Sequence, residues 1–169
     1  MTDSLFQLFD RLAIARLKAF HFKETGNAAA MEMARDQAEE LALAGELLLG
    51  EYLRGERRVR VVIPPRFHDH RVVEGKWAYQ KAEMPEPKTI MECAGALAET
   101  HARYWSLQTE IQALKRLIDT SQGLPDLPAL HQKFVTSQRQ IDVLNQVRSD
   151  LVALGDMKLK EALDARHLA

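Results

Sequence analysis

Residues 138–154, QRQIDVLNQVRSDLVAL, place apolar side chains at the spacing of an α-helix. At about 100° per residue, Ile141, Leu144, Leu151 and Val152 fall on one side and should face a core. Asn145 and Arg148 fall on the same stripe, three residues apart and nearly one above the other. A guanidinium taken out of water costs several kcal/mol unless it is paired and hydrogen-bonded. Arg148 therefore needs a carboxylate, and Asp10, Glu110 and Asp142 are the candidates.

The rest of the chain repeats the helical pattern. Ser4 or Asp3 can cap a first helix with Phe6, Phe9, Ala13, Leu17 and Phe20 on one face. Leu8, Leu12, Ala15 and Ala19 run along nearly the opposite side, so this helix should be well buried or touch two neighbours. Thr25-Gly26-Asn27 breaks it. Ala28 to about Arg54 predicts a second helix, with Gly55 as its stop. Thr89 can cap a third helix to about Thr120, and SQGLPDLP is a turn. Asp126 or Pro128 opens a fourth helix running almost to the last residue, weakened at Gly155. Between the second and third helices, Val59, Val61, Val62 and Ile63 have strand character, broken by Pro64-Pro65. Segment 56–82 is expected as a small hairpin or an irregular loop, locally basic through Arg54, Arg57, Arg58, Arg60, Arg66 and Arg71. The fold class that follows is all-α: one domain over 1–169, a four-helix bundle with that excursion.

Bulk properties narrow the function classes. The 169 residues are 46% apolar and 28% charged, with a formal net charge of −1. Near-neutral charge argues against nucleic acid, and no apolar run approaches the ~20 residues that span a bilayer. Asp3 and Asp10 stand where an export signal would be basic, and Cys93 is the single cysteine. A cytoplasmic protein with no internal disulfide is expected.

Three helices offer polar groups near the core edge. His101 and Gln108 lie seven apart on the third, with Trp105 beside them. Asp10 and His21 lie eleven apart on the first and almost eclipse one another. Lys18, with Arg11, occupies a third sector expected to face solvent. Two readings compete. In one, these groups form a satisfied network that sets helix register. In the other they line a pocket in which Arg148 holds an anionic group and Asn145, His101 and Gln108 orient it.

Signals for catalysis and metals are weak. The Glu-x-x-His repeat of di-iron bundles is absent. His68, Asp69 and His70 in FHDHR are weak metal candidates, because they follow Pro64-Pro65 instead of sitting on rigid helices. Glu39, Glu40 and Glu46 only faintly echo the acidic helices of nucleotide pyrophosphatases. Cys93 reads as a small buried hydrophobe. No phosphate loop or nucleophile arrangement is convincing, and no cofactor is expected.

Two blocks carry a resemblance. SLFQLFDRLAIARLKAFHF, through Asp10, Arg11, Leu12, Leu17, Lys18, Phe20 and His21, resembles one block of a bacterial helical-bundle family known as a domain of unknown function. QRQIDVLNQVRSDL is similar to that family's Arg-x-Ile-Asp-x-x-Asn-Gln-x-Arg-x-Asp run, at Arg139, Ile141, Asp142, Asn145, Gln146, Arg148 and Asp150. HARYWSLQTEI resembles a third block and keeps Trp105, but has His101 in place of Asn and Gln108-Thr109 in place of Glu-Asp. The order of the two main blocks is permuted. The resemblance implies a helical fold and no established chemistry. Taken with the residues, it leads to a non-catalytic binding or accessory protein, acting as a homo-dimer or with another protein partner. The alternative is a small all-α enzyme or receptor for an anionic (phosphorylated) small molecule, using a pocket around Asp10, His21, His101, Trp105, Asn145 and Arg148.

Overall fold

A computed structural model describes residues 4–59, 61, 87–120 and 126–167. Four helices follow in order: α1 (Leu5–Glu24), α2 (Ala28–Leu53), α3 (Ile90–Thr120) and α4 (Leu127–His167). Among the described residues there is no strand, and no helix is long and apolar enough to cross a membrane. Most of the segment expected as a hairpin or loop, with His68, Asp69 and His70, lies outside the described residues.

Local chemistry sets the helix ends. Ser4 Oγ accepts the Gln7 amide at 3.2 Å while Gln7 Oε1 accepts the Ser4 amide at 2.8 Å, a reciprocal capping box. Asn27 caps α2 by accepting the Ala30 amide at 3.1 Å, and Thr89 caps α3 by accepting from Glu92. Gly26 and Gly55 end α1 and α2 at φ values of 72° and 73°, a left-handed backbone that glycine adopts without strain. Each permits a Schellman closure: Asn27 N–H donates to Phe22 O, and Glu56 N–H donates to Glu51 O.

Packing is two antiparallel hairpins, α1 on α2 and α3 on α4, with α1 also touching both α3 and α4. The two-sided apolar character of α1 has its use here. Leu5 and Leu8 join Leu48, Tyr52, Val59, Leu159 and Leu163 in one cluster. Phe6 joins Cys93, Leu97, Val147, Leu151 and Leu154 in the other, and its ring meets Phe9 edge-on at 5.5 Å. Each such side chain fully buried contributes roughly 1.5–3 kcal/mol. The half of α3–α4 away from the α1 N-terminus closes on Ile111, Leu114, Ile141 and Leu144.

α4 continues through Gly155 without a break. It is a socket. A methyl there would overlap the ring of Phe6, which is fully buried and cannot swing into solvent. Gly155→Ala is therefore expected to destabilise the protein by about 1–3 kcal/mol despite its better helix propensity. Urea unfolding checks this, and combining it with Phe6→Leu should cost less than the two singles added together.

Candidate functional site

The polar stripe of α4 meets α1 and α3 at one carboxylate. Asp10 Oδ1 lies 2.9 Å from His101 Nε2 and 3.3 Å from Arg148 Nε. Side-chain exposure is 3% for His101, 15% for Asp10 and 31% for Arg148, so the imidazole is the buried member and the guanidinium sits at the edge. An ionised carboxylate only accepts hydrogen bonds, so His101 Nε2 carries the proton it shares with Asp10. Side chains from α3 and α4 thus end on a single oxygen of α1.

Of the other sequence candidates, two meet one another. His21 packs edge-on against Trp105, ring centroids 5.2 Å apart. Gln108 Nε2 donates to the Tyr104 hydroxyl at 3.2 Å, along its own helix. Asn145 is half-buried, and its backbone oxygen accepts from Ser149 Oγ at 3.0 Å. Lys18 is exposed, as its sector implies. Of the three acids offered as partners for Arg148, Asp10 is the one in place. Glu110 pairs instead with Lys133 at 3.0 Å, and Asp142 is exposed. Chemically the junction has little to offer a substrate: its imidazole is enclosed and already donates to Asp10. Among the described residues no group of three or more His, Cys, Asp or Glu side chains could hold a metal ion.

A second polar group escaped the sequence reading. Asp156 is 2% exposed on α4 and accepts the Phe6 amide at 3.2 Å; the Ser4 side chain also hydrogen-bonds to it. It serves as a cap supplied from another helix, satisfying an amide at the α1 N-terminus that has no intrahelical partner. The position of Asp156 beside Gly155 was the only hint in the sequence, and nothing there shows which helix end it reaches.

Burial pushes the Asp156 carboxyl up to about 6 from an ordinary value of 3.8, against the opposing hydrogen bonds from Ser4 and Phe6. A carboxyl whose pKa is raised on folding adds stability below its unfolded pKa, and loses it as pH rises through the folded value. Asp156 should therefore make the protein less stable at pH 7 than at pH 4 by up to about 3 kcal/mol, taking 1.36 kcal/mol per unit. Asp156→Asn keeps an acceptor for the Phe6 amide and removes the titration. Its stability should vary less between pH 4 and 7 than that of the unaltered protein, as measured by denaturant unfolding at each pH.

Comparison of the chain with protein-family models, with curated proteins and with solved structures finds no match.

Proposed function

We propose that this is a non-catalytic binding or accessory protein, in which the seam of α1, α3 and α4 is a strut. The observation that carries this reading is the double use of Asp10 Oδ1 by His101 and Arg148. A receptor for an anion would hold its guanidinium ready for the ligand. Here the guanidinium is already turned to a carboxylate of its own chain, and the neighbouring imidazole is enclosed. The two blocks that resemble the helical-bundle family supply Asp10 and Arg148, the residues that meet. Membership of that family, in permuted order, is part of the proposal. Binding would then fall to an exposed helix face, with a protein as partner.

The strut reading makes a directional prediction. Arg148→Met should lower stability by about 1–2 kcal/mol, less than a fully buried pair would lose because Arg148 is partly exposed. Asp10→Ala should cost more, since it also strips His101 of its acceptor. The double variant should show coupling of at least about 0.5 kcal/mol in unfolding experiments. Sugar phosphates and nucleotides at millimolar concentration should leave the melting temperature of both the unaltered protein and Arg148→Met unchanged. A concentration-dependent stabilisation that Arg148→Met abolishes would establish the receptor instead.

A further inference from the structure

The chain leaving α2 returns to the last turns of α4. Gly55, at a φ of 73°, makes the turn, and Val59 then packs with Tyr52, Leu159 and Leu163 in one apolar cluster. Beside that cluster a cavity of about 580 Å³ opens between the end of α2 and α4. Such a volume is within the range of small-molecule sites. On α4 it begins at Lys160, twelve residues and about 18 Å beyond the Arg148 junction.

Its walls are apolar where Tyr52, Val59 and Leu163 line it, and each of these is buried. Tyr52 is only 3% exposed, yet its hydroxyl has no hydrogen-bond partner among the described residues and is not sealed from the cavity. A hydroxyl enclosed without a partner costs free energy that a bound acceptor would recover. Burial, and after it the charge of Asp156, push the Tyr52 phenol up from its ordinary value of 10.0, with Arg57 opposing. At neutral pH it therefore keeps its proton and can donate.

The charges at the rim select the acceptor. Arg57 reaches Glu51 at 3.0 Å, and Lys160 pairs with Asp164. Arg54, just outside the cavity, is held by Glu56 at 2.7 Å. Arg58 lines the cavity, is exposed, and has no ion pair among the described residues. One cation is thus left over, which suits a single negative charge. A phosphate dianion would bring a second charge with no cation to meet it, beside the carboxylates of Glu51 and Asp164.

We propose that this cavity binds a small monocarboxylate with an apolar body, its carboxylate accepting from the Tyr52 hydroxyl and paired with Arg58, its body against Val59 and Leu163. The site is separate from the Asp10 junction and does not depend on the strut reading.

The test titrates the isotope-labelled full chain with phenylbutyrate at pH 7, followed by amide NMR. The amides of Tyr52, Gly55, Val59 and Leu163 should shift saturably, with half-saturation below about 5 mM. Phenylbutanol and phenylbutylamine keep the apolar body without the anion and should bind at least about fivefold more weakly. Sugar phosphates should leave these amides in place. Tyr52→Phe and Arg58→Gln should each weaken phenylbutyrate binding at least about fivefold. Because the hydroxyl is unpartnered in the free protein, Tyr52→Phe should leave the urea midpoint unchanged or raise it. Arg148→Met should bind phenylbutyrate as the unaltered protein does. No saturable shift, equal binding of the alcohol or the amine, or indifference to Tyr52→Phe and Arg58→Gln would overturn the proposal. A urea midpoint lowered by Tyr52→Phe would overturn it too, by giving the hydroxyl a structural partner. Loss of binding in Arg148→Met with Tyr52→Phe unaffected would move the anion to the Asp10 junction and remove the strut reading instead.

Discussion

The rest of the fold depends on how α1 is seated. Phe6 fills the space left by the missing side chain of Gly155, and the next residue of α4, Asp156, accepts the Phe6 amide at 3.2 Å. Shape and hydrogen bonding therefore act on the same residue of α1 from adjacent positions of α4. Because α1 touches α2, α3 and α4, fixing its N-terminal end fixes the relation between the two hairpins. The cost is a carboxylate taken from water, which shows as a pKa raised to about 6. Protonation relieves that cost, so the seat is most favourable in mild acid.

The junction at Asp10 uses charge differently. It lies one turn and more along α1 from the seat, and it brings His101 of α3 and Arg148 of α4 to one oxygen. Partial exposure of Arg148 spares it the full penalty of burial. A junction of this kind specifies which residues of three helices sit level with one another, something apolar packing alone does loosely. The helix ends are settled by short-range capping and the hairpins by apolar clusters; register is where the polar seam contributes.

These two internal contacts leave α2 as the outlying helix. Its inward residues toward the α1–α2 turn are alanines, so that end of the hairpin buries little. Its outward residues combine exposed leucine with a marked excess of carboxylates. A chain with a net charge of −1 thus sets six carboxylates against one arginine on this helix. Whole-chain charge conceals such a distribution, which is why composition gave no sign of a charged face.

Periodicity and capping signals by themselves determined the four helices, because both act within a few residues. Ser4, Asn27, Gly55 and Thr89 each stand at an end where their side chains, or the lack of one, suit the backbone. The placement of Asn145 and Arg148 on an apolar stripe also required a partner acid, and Asp10 was among three that the sequence offered. Choosing between Asp10, Glu110 and Asp142 needed the crossing of α1 over α3 and α4, which no spacing within one helix encodes. His21 meets Trp105 across α1 and α3, a contact that spacing within either helix does not encode, whereas Gln108 turns to Tyr104 one turn back on its own helix. Gly155 read as a defect of α4 for the same reason: its purpose is the Phe6 ring, 149 residues away in the chain and in contact only once the helices have packed.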